Sequence, residues 1–169
     1  ILNYHEQLNQ TVASIRGLDT GVIRIGTVTS VAVHWLPGIL KKFMKQHPGI
    51  DFKLFNGDYG DVTRWLSEGS IDVGFLALPA DISCECIPLM EDRMLAILPK
   101  EHPLATLPKF PVAQVQYEAY ISLLESSDHD TRTIWKNAGV TPNIRFTSKD
   151  DYAIIAMVEQ GLGIAIMPE

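Results

Sequence analysis

The stretch Gly21 to Phe75 constrains this chain most, because it reads as strand, capped helix, strand, helix, strand. Gly21 to Val28 reads as the first strand, and Thr29 and Ser30 follow it as N-cap candidates; their hydroxyls can take the free N–H groups of a helix's first turn. That helix is expected to run to about His47, with Leu36, Ile39, Leu40 and Phe43 on one side and a bend near Val33 caused by Pro37. Ile50 to Phe55 is the second strand, Asn56-Gly57-Asp58 a turn, and Asp61 to Glu68 a short helix with Val62, Trp65 and Leu66 inward, closed by Gly69. Ile71 to Leu78 is nearly all apolar, as expected of a strand buried on both faces. A β-α-β-α-β unit builds a parallel sheet covered by helices. Such sheets bind small ligands at the carboxyl ends of their strands.

The second half repeats that order. Strands are expected at Glu85–Leu89 and Met94–Leu98, turned at Glu91-Asp92, and an irregular loop over 99–111, which holds four prolines. A strand from Ala119 to Leu123 and a helix from about His129 to Asn137 follow, the helix capped by Ser127 or Asp128 and stopped by Gly139. Then come a strand from Asn143 to Phe146, an apolar helix from Asp150 to Gln160 and a strand from Gly163 to Met167. Pro79-Ala80-Asp81 breaks the pattern between the halves and is the expected boundary. Two such lobes joined by crossing strands are expected to enclose a cleft. Residues 1–16 read as a helix striped by Ile1, Leu8 and Ile15 and ended by Gly17.

Composition narrows the function. A net charge of −6 over 169 residues makes a poor surface for neutralising DNA phosphates. No apolar run approaches the ~18 residues of a membrane span, and no secretory signal opens the chain, which starts at Ile1 like a piece of something longer. The two cysteines, Cys84 and Cys86, point the same way if they lie on a strand, where a tight disulfide is strained. They are read as reduced thiols, with no further ligands nearby for a metal. No HExxH, P-loop or nucleophile-elbow pattern occurs. Gly161-Leu162-Gly163 lacks the third glycine and the helix of a dinucleotide site. Asp72 reads as a structural hydrogen-bond acceptor. No catalytic residue, metal site or cofactor is assigned.

Several segments then resemble, in order and spacing, the effector-binding region of LysR-type transcriptional regulators. They are Gly21-x-Ile23-Arg24-Ile25-Gly26, Leu36-Pro37, His47-Pro48-Gly49-Ile50, Leu66-x-x-Gly69-x-Ile71-Asp72-Val73-Gly74-Phe75, Pro99-x-x-His102-Pro103-Leu104, and Met157-Val158-x-x-Gly161-Leu162-Gly163-Ile164-Ala165-Ile166-Met167-Pro168. The resemblance covers about residues 21–168. It implies an α/β fold of two Rossmann-like lobes, like periplasmic binding proteins. Residues 1–18 would be the end of a dimerising linker helix, 19–79 the first lobe, 80–165 the second with the crossover strands, and 166–169 the start of a return to the first.

It also implies a cytoplasmic regulator whose partners are a small-molecule effector, operator DNA through an N-terminal winged helix-turn-helix outside this sequence, and further copies of itself as a homodimer or homotetramer. By position in the family, the effector would meet Thr29, Ser30 and Val31, then Tyr59 and Gly60, then Thr147, Ser148 and Lys149. Physics supports part of this. Ser30 lies where a strand's carboxyl end meets a helix start, and the positive end of the dipole favours an anion there, such as a small carboxylate. The hydroxyls have a second reading as plain helix caps, and Lys149 as a surface lysine. Asp150 and Asp151 already complement the second lobe's helix, so an anion should favour the Ser30 side. The competing function is a solute-binding protein or a prephenate-dehydratase-like enzyme on the same architecture.

Overall fold

The computed structural model describes residues 20–80, 82–123 and 129–169. The helix expected over 1–16 and the cap expected at Ser127 or Asp128 lie outside them. The chain forms two compact α/β units, divided between Cys86 and Ile87.

In the first unit, β1 (Gly21–Thr27) runs parallel to β2 (Ile50–Asn56) along its whole length and to β3 (Val73–Gly74) at Ile25 and Gly26, giving the order β2-β1-β3. Period-2 alternation divides the side chains between two faces. On one face Phe52 meets Phe43 edge-on, with ring centroids 5.6 Å apart. On the other, Phe55 lies 5.7 Å from Trp65, and Gly26 sits under Val62 and Ile71. The helices carrying Phe43 and Trp65 therefore cover opposite faces.

The single bent helix expected over 29–47 is two helices, α1 (Thr29–His34) and α2 (Leu36–Gln46), meeting at Trp35 (φ −105°, ψ −53°). Pro37 is the cause: it has no N–H to continue the first helix, but sits without cost in the first turn of a new one. The break thus falls at Trp35, not Val33, and Trp35 packs edge-on against Phe75. The next helix, α3 (Tyr59–Ser67), starts two residues earlier than expected because Asp58 caps it. Gly69 ends it at φ +66°, a conformation in which glycine has no Cβ penalty.

The apolar run 71–78 is not a long strand buried on both faces. Only Val73 and Gly74 pair, and Val73 and Leu78 are half-exposed, because β3 is the sheet's edge among the described residues. A short edge strand needs other anchors. Asp72 supplies one: its backbone N–H donates to the Arg24 carbonyl (2.9 Å), and its Oδ2 accepts from the Arg24 N–H (2.8 Å). Oδ1 lies 3.4 Å from the Arg24 guanidinium, which is buried. Asp72 is the structural acceptor expected.

The second unit contains β4 (Met94–Ile97), a 3-10 turn (Val112–Gln116), β5 (Tyr120–Leu123), α4 (His129–Ala138), β6 (Ile144–Ser148), α5 (Asp151–Glu159) and β7 (Ala165–Pro168). β4 and β7 are antiparallel, β5 and β6 parallel, and a parallel bridge from Tyr120 to Ile164 joins the pairs. Alternation along β7 builds both cores. Ile164 and Ile166 pack with Tyr120, Val115 and Trp135 of α4, whereas Ala165 and Met167 pack with Ile121, Ile154 and Val158 of α5. Burying each such aliphatic side chain contributes about 1.5–3 kcal/mol. The strand expected at 85–89 and its turn are absent; Ile87, Leu89 and Met90 are exposed and find no strand to pair with. β6 extends two residues past its expected end, so Thr147 and Ser148 lie on the strand, paired with Ser122 and Leu123.

Candidate functional site

In the first unit, the carboxyl ends of β1 and β2 are tied together. The Gly57 N–H donates to the Thr27 carbonyl (3.0 Å), and the Asn56 amide donates to Thr29 Oγ1 (3.3 Å). Thr29, Ser30 and Val31 form the first turn of α1 directly after β1, and Tyr59 and Gly60 form the first turn of α3 directly after β2. Two helix N-termini therefore stand side by side on adjacent parallel strands, the place where such sheets take ligands. Ser30 is exposed, and the other four are half-buried.

The caps differ, and that difference sets the electrostatics. At α3 the Asp61 N–H donates to Asp58 Oδ1 (2.8 Å), and the Asp58 N–H donates to Asp61 Oδ2 (3.3 Å). This capping box puts two carboxylates at the helix's positive end. At α1 the cap is Val28, which offers no side-chain acceptor, and the first turn holds no acidic residue. Thr29 and Ser30 are helical residues and not the caps expected of them. The first backbone bond of α1 is from the Ala32 N–H to the Val28 carbonyl (3.0 Å), so the N–H groups of Thr29, Ser30 and Val31 precede it. These donors and the dipole favour an anion.

In the second unit the cap of α5 is Asp150, whose Oδ1 accepts from the N–H groups of Tyr152 (2.9 Å) and Ala153 (3.3 Å). Thr147 and Ser148 therefore do not repeat the role of a helix start. Ser148 Oγ accepts from the Asp150 N–H (3.1 Å) and so braces the cap residue. Thr147 and Lys149 are exposed, with Lys149 next to the cap. Burial, reinforced by the neighbouring Asp150 charge, pushes the Asp151 carboxyl above its ordinary value. The α5 N-terminus thus carries its own anions and has little affinity left for another.

Sequence reasoning missed Asn56, the capping box and the Asp150 cap. The Asp-x-x-Asp spacing of 58 and 61 signals the box, and an aspartate immediately before an apolar run signals the cap. Among the described residues no group of three or more His, Cys, Asp and Glu can hold a metal, and no helix is long and apolar enough to cross a membrane.

The family described as LysR substrate binding domain matches residues 16–169. The HTH-type transcriptional regulator YvbU of Bacillus subtilis is 30% identical over 169 residues, which are 100% of this chain and 58% of that protein. The crystal structure of HinK, a LysR family regulator from Pseudomonas aeruginosa, superposes with a TM-score of 0.78 at 27% identity, over 98% of this chain and 58% of that one. The effector-binding domain of QuiR in complex with shikimate shares the fold, with a TM-score of 0.76 at 22% identity, over 89% of this chain and 74% of that one.

Proposed function

This chain belongs to the LysR substrate-binding domain family, and from that membership we propose that it is the effector-sensing part of a transcriptional regulator. A small metabolite binds it and shifts the balance between conformations by its differential affinity for them. A winged helix-turn-helix preceding residue 1 binds operator DNA, and the regulator works in the cytoplasm as a homo-oligomer rather than as an enzyme. The match to the family over residues 16–169 carries this reading.

The effector is a small carboxylate held first by the α1 start, through Thr29, Ser30 and Val31, with Tyr59 and Gly60 beside it; Thr147, Ser148 and Lys149 are its further contacts. Support for the α1 side comes from the caps: α3 and α5 hold aspartates, and α1 holds none. That QuiR binds shikimate, itself a carboxylate, agrees with this chemistry.

A thermal-shift screen of small carboxylates tests the proposal. A ligand at a hundredfold its dissociation constant stabilises the protein by ~2.7 kcal/mol. The hit should then bind Ser30→Ala more weakly by calorimetry; unchanged affinity refutes the hydroxyl contact. Steady turnover of the hit by purified protein overturns the sensing reading itself.

A further inference from the structure

Cys84 and Cys86 are both free thiols and both exposed. The absence of a strand over 82–93 removes the geometry in which the two thiols would be held in extended register. Instead the chain bends at Ser83 and Cys84, and the Cys86 thiol turns back to donate toward the Cys84 carbonyl (Sγ···O 3.8 Å). Desolvation first, then the neighbouring Cys86 side chain, push the Cys84 thiol above its ordinary value. Two exposed thiols, two residues apart with one folded back over the other's backbone, thus lie on a surface segment that ends the first unit.

What could use such a pair is limited. Structural zinc takes four ligands, and among the described residues no third His, Cys, Asp or Glu completes a cluster. Peroxide sensing needs a thiolate with a lowered pKa, and Cys84 is shifted the other way. A ligand that takes two sulfurs and needs no thiolate of lowered pKa fits both facts.

We propose that Cys84 and Cys86 form a bidentate dithiol site for a soft, thiophilic electrophile of the trivalent-arsenical class. In the step, R–As=O and the two thiols give R–As(S)2 and water. Two S–H bonds and the As=O bond break, two As–S bonds form, and both thiol protons leave on the oxygen. Arsenic stays trivalent, so no oxidant or reductant enters. Closure across Glu85 ties residues 84–86 into one ring at the chain's exit from the first unit.

The probe is phenylarsine oxide, added to the reduced full chain, with thiol counting and intact mass as readouts. One equivalent should consume both thiols of this pair and add one arsenical less one water. The adduct should resist excess monothiol and be stripped by a dithiol such as dimercaptopropanol. Cys84→Ser and Cys86→Ser change exposed side chains and should fold normally by circular dichroism. Each should hold the probe about a hundredfold or more weakly, the loss expected when a second tethered contact is removed. Equal retention by wild type and single variants overturns the proposal. So does uptake of two arsenicals by the pair, or loss of two hydrogens without arsenic, which would mark a disulfide instead.

Discussion

Replacing Asp72 tests the clip that holds the two-residue β3 against β1. Its Oδ2 takes the Arg24 N–H at 2.8 Å, and its Oδ1 lies 3.4 Å from the Arg24 guanidinium. The Arg24 side chain is 4% exposed and that of Asp72 is 35% exposed. A hydrogen bond to a charged acceptor contributes ~1.5–3 kcal/mol, and the longer ion-pair contact is weakened by solvent on the Asp72 side. Asp72→Ala should therefore cost about 2–3 kcal/mol, since Arg24 keeps its other interactions and is not stranded. For a chain of this size that lowers Tm by roughly 5–10 °C. Asp72→Asn keeps an oxygen for the Arg24 N–H and loses only the charge, so about 1 kcal/mol is expected. Thermal melts followed by circular dichroism give the totals, and hydrogen exchange at the Arg24 amide shows whether the loss is local. Adding Arg24→Met closes a double-mutant cycle, in which the two changes should cost less together than the sum of each alone. An Asp72→Ala protein within ~0.5 kcal/mol of wild type would refute the clip, because such a value is ordinary for a surface change. An Asn variant as unstable as the Ala variant would assign the effect to charge, not to the backbone acceptor.

Asp150→Asn should preserve the α5 cap, because asparagine caps about as well as aspartate, and should lower the Asp151 pKa by removing its charged neighbour. The shift is only partial, because burial is the larger cause. With a folded pKa above the unfolded one, the native state binds the proton more tightly, so stability falls as pH rises from the ordinary carboxylate value through the raised one. That decline should shrink in Asp150→Asn, as read by carboxyl NMR titration and urea melts between about pH 3 and 6; an unchanged Asp151 titration would exclude the coupling. In Gly74→Ala the new Cβ would lie 2.7 Å from Val62 Cγ1 and 2.8 Å from Leu66 Cδ1. Overpacking of this kind costs about 1–3 kcal/mol, and Val62→Ala in the same protein should recover part of it; a Gly74→Ala melt equal to wild type would show that α3 moves aside freely.

The elements legible in the sequence are those whose pattern is enforced by two neighbours. β1 is paired on both sides and β7 feeds a core on each face, so their apolar residues could not sit otherwise. Where pairing is one-sided or missing, the same pattern misleads. The run 71–78 is apolar enough for a central strand but lies at an edge, and Glu85–Leu89, expected as a strand, pairs with none among the described residues. The site shows the same limit on a finer scale. That Ser30 sits at a strand's carboxyl end follows from the strand-turn-helix order alone. Whether it caps the helix or lies inside the first turn depends on a one-residue shift, and hydrophobic pattern does not resolve that. Carboxylates do resolve it: at the Asp58 and Asp150 junctions the aspartate becomes the cap, and at the second Ser148 is left to brace Asp150. The residues before α1 include no aspartate between Gly21 and Val28, so the cap is a valine that offers no side-chain acceptor to the helix's first N–H groups. The absence of an acid at that junction, set against its presence at the two other described strand-to-helix junctions, is the sequence-level mark of where an anionic effector is expected to bind.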